Sequence, residues 1–326
     1  MRRALGTCGG WFVLILAGLA DAQPPPAPAG GFGFEVPDTA LARPLQFIVY
    51  GDTRFTDARE TVASSPGARR ALVEKVAAEH PQALVLTGDL VWHGGELDDY
   101  RVFSEETASW RELRLRVYPV LGNHEFSRCA EAQCLENFWQ VFPELRGQRW
   151  YAVSLGSRIR ILALDSNAKL GAGSEQRAWL EHELATLDGA VRFVILAMHH
   201  PPVADDGAWV LRDNERALTE VLARAAAHTR ARLIVCAGHV HNYERFEQDG
   251  VVYLVSGGGG AKPLPVVRRE PGDRYPDPDF PNYHYVRFVL DGERLTGEMV
   301  RLTDYEARAP HVWAVKDRFD VLAAAH

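Results

Sequence analysis

Two aspartates, one asparagine and five of the twelve histidines fall in five short turns. These turns are Gly51-Asp52, Gly88-Asp89, Gly122-Asn123-His124-Glu125, His199-His200-Pro201-Pro202 and Gly238-His239-Val240-His241. Carboxylate and amide oxygens mixed with imidazoles, with no thiolate cluster beside them, suit first-row metals such as Zn, Mn or Fe. Two histidines one residue apart at a glycine turn, as in His239 and His241, can address two cations. Taken singly, each turn is equally a helix cap or a buried histidine. Their combination is harder to read as structural, because all five follow the same kind of segment.

Those segments are the apolar runs LQFIVY, ALVLT, VYPVL, RFVILAM and RLIVCA. Apolar, β-branched runs closed by glycine or proline read as buried strands. In open α/β sheets ligands lie beyond the carboxyl ends of the strands, so the five turns are expected along one rim. Helical patterns separate the runs. One starts at Ser65-Pro66, with Leu72 and Val76 on one face. Ser174 starts another, with Trp179, Leu180, Leu184 and Leu187 inward. Asp213 or Asn214 starts a third, with Leu218, Val221, Leu222 and Ala225 inward. Alternating strands and helices predict an α/β fold with largely parallel pairing. Later runs, VVYLVS, YHYVRFVL and LTGEMVRL, add strands, and Asp291-Gly292 predicts a hairpin between the last two. The proline- and charge-rich stretch between Gly260 and Tyr283 reads as a long loop, either a lid or a surface excursion.

Length and composition narrow the class. The chain has 326 residues, of which 47% are hydrophobic and 24% charged, the balance of an ordinary globular protein. The net charge of -7 provides no general attraction to nucleic acid or anionic membrane, and no nucleic-acid-binding module is evident. Residues 1–22 read as a secretory signal. Arg2 and Arg3 precede an apolar Trp11–Ala20 stretch and the small-x-small pattern Ala20-Asp21-Ala22. The apolar stretch is too short for an ordinary membrane span; an uncleaved anchor is the alternative. After cleavage the expected location is periplasmic or secreted, with no transmembrane segment left. Residues 23–44, rich in Pro, Ala and Gly, read as a linker. Export makes a disulfide between Cys129 and Cys134 a candidate, with two free thiols as the alternative. Cys236 reads as a buried small hydrophobe.

With these residues in view, the chain resembles the calcineurin-like metallophosphoesterases, and within them the purple-acid-phosphatase-like branch. The resemblance rests on the ordered set GD, GD, GNHE, H-x-P and GHxH. GHVHNYER at Gly238–Arg245, LALDS at Leu162–Ser166, QRAWLEHEL at Gln176–Leu184 and SGGGG at Ser256–Gly260 add weaker support. It covers residues 45–305, leaving 306–326 as a tail. It implies a four-layer α/β/β/α sandwich of two facing mixed sheets with outer helices. It also implies two divalent or trivalent metal ions. Asp52, Asp89 and His241 would hold the first; Asp89, shared, with Asn123, His199 and His239 would hold the second. His199 is chosen over His200 because the family ligand lies two residues before proline; His200 then supports the site or faces substrate. His124 matches a histidine that does not bind metal and that protonates the leaving group or bonds a phosphate oxygen.

The chain departs from the family pattern at two positions. Arg54 stands where many members carry a metal-binding histidine. Trp92 stands where purple acid phosphatases carry the tyrosine whose phenolate binds iron, and indole cannot ligate in its place. The first metal then has three assignable protein ligands, and His93 or water would complete it. Arg54 is expected either to bind a phosphate oxygen or to pair with a carboxylate. The implied activity is hydrolysis of a small phosphoester by metal-bound hydroxide, with a monoester as the leading substrate. The alternatives are a phosphodiesterase acting on nucleotides or lipid headgroups, or a binding module that keeps the fold without the chemistry. Gly257–Gly260 lacks the Lys-Ser/Thr of a phosphate-binding P-loop and reads as backbone passing close to the pocket. Asp165 reads as a structural turn residue.

Overall fold

The computed structural model describes residues 32–205, 211–275, 277 and 280–324. The expected signal, 1–22, lies outside them. The elements run β1 (Gly33–Val36), β2 (Leu45–Tyr50), α1 (Pro66–Ala78), β3 (Ala83–Leu86), α2 (Leu97–Glu106), α3 (Ala108–Glu112) and β4 (Val117–Pro119). Then come α4 (Glu131–Val141), β5 (Tyr151–Leu155), β6 (Ile159–Ala163), α5 (Glu175–Ala185), β7 (Phe193–Ala197), α6 (Asp213–His228) and β8 (Arg232–Ala237). The chain ends with β9 (Tyr243–Gln248), β10 (Val251–Ser256), β11 (His284–Asp291), β12 (Arg294–Leu302) and β13 (Trp313–Leu322).

The strands form two mixed sheets. One has the order β1-β5-β6-β7-β8-β10-β9, the other β13-β12-β11-β2-β3-β4. The apolar runs explain the layering. Successive side chains of a strand point to opposite faces, and every residue of β7 is buried. Phe193, Ile195 and Ala197 enter a large core shared with Phe47, Val49 and Phe288 of the other sheet. Val194 and Leu196 enter a second core with Leu180 and Leu184 of α5 and Leu218 and Leu222 of α6. A strand apolar on both faces is therefore covered on both, by the facing sheet and by helices. Leu72 and Val76 of α1, Phe103 of α2 and Trp110 of α3 join the large core. The result is the expected four-layer α/β/β/α arrangement.

Ser65 precedes α1, whose first residue is Pro66, where the missing N–H costs nothing. Ser174 caps α5 by accepting from the Arg177 N–H. α6 starts at Asp213 with Arg212 in the cap position, rather than being capped by Asp213 or Asn214; the Asn214 side chain accepts instead from the Leu170 N–H at 2.8 Å. The β11–β12 hairpin forms as expected, with Asp291 paired to Arg294, so its turn is Gly292-Glu293.

The sheets extend beyond 45–305. β1, inside the stretch read as a linker, pairs in parallel with β5. β13, inside the stretch read as a tail, pairs antiparallel with β12 along its length. Each has few buried residues, so its strand state depends on a partner distant in sequence rather than on its own apolar pattern. Cys129 and Cys134 form a disulfide with Cα atoms 5.6 Å apart, and Cys236 is free and buried.

Candidate metal centre

Parallel register brings the five turns level. β2 pairs with β3 and β3 with β4, with Tyr50 opposite Leu86 and Leu86 opposite Pro119. β7 and β8 end with Ala197 opposite Cys236. Hydrogen bonds continue across the turns: Asp52 N–H donates to Gly88 O at 2.9 Å, and Gly238 N–H to His199 O at 2.9 Å. The carboxyl ends of five parallel strands, three from one sheet and two from the other, thus face one another.

The turns are tight and conformationally costly. Asp52, Arg54, Asp89 and His239 all have φ between 47° and 69°, a region that non-glycine residues seldom occupy and that clusters at functional sites. Gly88, at φ 90°, has no room for a side chain; a Cβ would stand 2.7 Å from Gly122 N and 2.8 Å from His199 Nδ1. Gly257 fits because a Cβ there would run into the Val240 carbonyl and Asp52. The glycine run after β10 therefore lets backbone pass against the pocket.

Asp52, Asp89 and His241 bring ligand atoms within 4.8 Å of one another, and so do His199, His200 and His239. Asn123 Oδ1 lies 3.0 Å from His199 Nε2 and 3.1 Å from His239 Nδ1. His199 Nε2 is 3.2 Å from Asp89 Oδ1, and His241 Nε2 is 3.5 Å from Asp52 Oδ1. These spacings match donors sharing a cation. Ligands about 2.1 Å from one ion stand about 3.0–3.4 Å apart at octahedral or tetrahedral angles.

Tautomers test the fit further. A carbonyl oxygen only accepts, so His199 Nδ1 donates to Thr87 O at 2.9 Å and His241 Nδ1 donates to Lys262 O at 2.7 Å. In each neutral ring Nε2 is then a lone pair, and it faces another oxygen lone pair. Asp52 Oδ1 and His241 Nε2 are buried without any hydrogen-bond partner, a costly state unless something positive lies between them. The donor set fits a pair of metal ions. His200 is engaged differently. Its Nδ1 meets Ser166 Oγ at 2.8 Å and its Nε2 accepts from Arg212 at 3.1 Å, which occupies both nitrogens. Burial, then the neighbouring His199, His239 and Arg212, hold its pKa far below the imidazole range. His93 stands outside both clusters, with Nδ1 on Ser127 Oγ at 3.0 Å.

Asp89 is the hub. Burial alone would raise its pKa, but His199, His124, Arg54 and the His124 N–H bring it below the usual carboxylate range. Its Oδ1 accepts from the His124 N–H at 2.9 Å. On the Oδ2 side lie Arg54 Nη2 at 3.3 Å and His124 Nε2 at 3.8 Å. His124 Nδ1 donates to Trp92 O at 2.7 Å, which turns Nε2 toward Asp89. Burial lowers its pKa, against the pull of Asp89. Burial likewise takes His239 down to about 4.

Apart from Asp165, already read as a structural turn residue, sequence reasoning missed the residues that hold the turns. Glu125 is fully buried and accepts from Gly122, Asp89, Leu90 and Val91 N–H groups at 2.6, 2.9, 2.8 and 3.3 Å. Burial and the Asp89 carboxylate push its pKa up to about 8, against those donors. Asn167 donates to Leu121 O and Gly122 O at 3.2 Å. Asp165 supports Asn167 and is itself held by Arg149 at 2.6 Å and by Gln176. Glu125, Asp165 and Gln176 fall inside GNHE, LALDS and QRAWLEHEL, whereas Asn167 and Arg149 lie in none of these segments.

Comparison with known proteins agrees with the geometry. The model of the calcineurin-like phosphoesterase family matches residues 45–243. An uncharacterized protein of Mycobacterium tuberculosis is 25% identical over 360 residues, covering 82% of this chain and 66% of the relative. A probable glycerophosphodiester phosphodiesterase of Arcobacter nitrofigilis is 30% identical over 180 residues, covering 54% of this chain and 62% of the relative. This chain thus spans just under two thirds of the length of those relatives. Among solved structures, a purple acid phosphatase from yellow lupin aligns at TM-score 0.69 and 18% identity, covering 86% of this chain and 54% of that one; at that identity it speaks for the fold. With a family match over most of the fold, the chain belongs to the calcineurin-like phosphoesterase family.

Proposed function

We propose that the mature chain is an exported phosphomonoesterase dependent on two metal ions. One observation carries the reading: lone pairs of the buried Asp52, Asp89, His199 and His241 and of the half-buried Asn123 and His239 converge at 3.0–3.5 Å with no proton to share between several of them. Asp52, Asp89 and His241 would hold the first ion. Asp89, Asn123, His199 and His239 would hold the second. Bound there, Fe, Mn or Zn supplies Lewis-acid stabilisation of phosphate oxygens and an activated water. Asn123 contributes an oxygen without charge, which limits repulsion of an anionic substrate. His124 faces the same space, and as the imidazolium it can pass its Nε2 proton to a departing alkoxide.

Export is supported by the basic start, the apolar run and Ala20-Asp21-Ala22. The Cys129–Cys134 disulfide fits an oxidising compartment. Among the described residues, no helix is long and apolar enough to cross a membrane.

A second reading, a phosphodiesterase, is favoured by the name of the Arcobacter nitrofigilis relative. Turnover of 4-nitrophenyl phosphate and bis(4-nitrophenyl) phosphate by protein reconstituted with Mn, Fe or Zn separates the two. The monoester should be preferred; faster diester cleavage would favour the second reading. Absence of cleavage with every metal would favour a binding module.

A further inference from the structure

We propose that Arg54, seated on the indole of Trp92, selects dianionic phosphomonoesters over monoanionic diesters at this site. The inference rests on the phosphoesterase reading above and names the residue that sets its substrate class.

Arg54 is built into the turn that carries Asp52. Its backbone is fixed on both sides: its N–H donates to Asp89 O at 3.0 Å and its carbonyl accepts from Arg69 Nη1 at 3.0 Å. Its φ of 47° is a strained aim for a residue with a Cβ. The guanidinium sits 4.8 Å from the centre of the Trp92 ring. Its carboxylate contact is one bond to Asp89 Oδ2 at 3.3 Å, long for a charge-assisted pair, which usually closes to about 2.7–2.9 Å. Its Nε is buried with no hydrogen-bond partner.

Arginines that serve structure in this molecule look different. Arg69 grips Glu106 through Nε and Nη2 at 2.9 Å each, and Arg287 grips Glu298 at 3.0 and 2.6 Å. Those forks are satisfied. The Arg54 fork has donors to spare and lies beside Asp89, the carboxylate of one cluster that also stands 3.2 Å from His199 of the other. A planar fork with free N–H groups suits the oxygens of a phosphoryl group. A monoester dianion has three terminal oxygens, so if each of two cations engages one, a charged oxygen is left for the fork. A diester has replaced one of them with an ester oxygen that carries no charge.

Trp92 is the positioning residue. Besides supporting Arg54, its ring stacks on His124 at 4.5 Å and 17°, and its carbonyl fixes the His124 tautomer. Indole is the strongest cation–π partner among the side chains. The tryptophan ring thus holds a cation beside Asp89.

The test uses the mature chain reconstituted with Mn, with Arg54→Ala, Arg54→Gln, Trp92→Leu and Trp92→Phe beside wild type. Calorimetric titration reads binding of orthophosphate above pH 8, as the dianion, and of dimethyl phosphate, as the monoanion. Both Arg54 variants should keep two metals per chain and bind orthophosphate about 10-fold or more weakly. Dimethyl phosphate affinity should change by no more than about 3-fold. The kcat/KM ratio of 4-nitrophenyl phosphate to bis(4-nitrophenyl) phosphate should fall by a similar factor. Trp92→Leu should reproduce much of this loss, and Trp92→Phe should restore most of it. Equal weakening for both anions, or none for either, overturns the role of Arg54. Failure of wild type to bind metal or cleave either ester overturns the phosphoesterase reading, and this inference with it.

Discussion

Trp92 and His124 make two residue-scale statements testable. No phenol stands at the position of Trp92, so protein reconstituted with iron should lack the purple charge-transfer band; a strong visible band would require an unassigned tyrosine ligand. His124 is placed to donate to the leaving group. Substitution by Ala should lower kcat about 10²–10⁴-fold, with a larger loss on an alkyl phosphate than on 4-nitrophenyl phosphate, whose leaving group needs less protonation. An equal loss on both would make His124 a phosphate-binding residue only. Glu125 acts through backbone: its carboxylate gathers four N–H groups from two turns. Glu125→Ala leaves them buried and unpaired, at roughly 1–3 kcal/mol for each uncompensated group. It should lower both Tm and metal occupancy; unchanged occupancy would detach it from the site. The ligand candidates were legible in the sequence because each sits two to four residues beyond a strand, in a glycine or proline turn. Glu125 and the Arg54–Trp92 pair were not legible as a support and a platform, because their partners lie some 35 residues away and only the fold joins them.

At the scale of elements, the strands that carry the site were readable from continuous apolar runs, and α1 and α5 from their caps. β1 and β13 were not, since their burial is slight and the pairing partner decides. The segment after Gly260 was readable only as a loop. In the structure its start is part of the site, with Lys262 O fixing His241. Farther along, the Glu270 N–H donates to Asp205 Oδ1 at 2.6 Å, while the Asp205 N–H donates to Glu244 Oε2 at 2.7 Å. Asp273 and Arg269 face the same group. Burial raises Asp205 to about 7 and Glu244 to about 8. Folded pKa values above the ordinary ones favour the folded state at low pH. That contribution is complete below about pH 4 and is lost as pH climbs through 7 and 8. Thermal melts of the metal-free protein should lose several degrees between pH 5 and pH 8. Asp205→Asn with Glu244→Gln should flatten the slope; an unaltered slope would place the titration elsewhere. The Cys129–Cys134 clip closes a loop with a sequence separation of 5, worth about 2 kcal/mol by loop entropy. Replacing both cysteines by serine should lower Tm accordingly, and an unchanged melt would contradict it.

For the whole molecule, two sheets each supply part of one rim, and the cations would sit across the seam between them. Metal binding is then linked to folding. At free metal of 100 to 1,000 times Kd, each site adds roughly 2.7–4.1 kcal/mol, so chelation should lower Tm as well as abolish hydrolysis. The central claim is that Asp89 is shared by two ions. Elemental analysis of reconstituted wild type and Asp89→Ala, with hydrolysis of 4-nitrophenyl phosphate measured on the same samples, tests it most directly. Wild type should hold two metals per chain. Asp89→Ala should hold fewer and lose at least about 10³-fold in turnover. Two metals and intact turnover in Asp89→Ala would contradict the account.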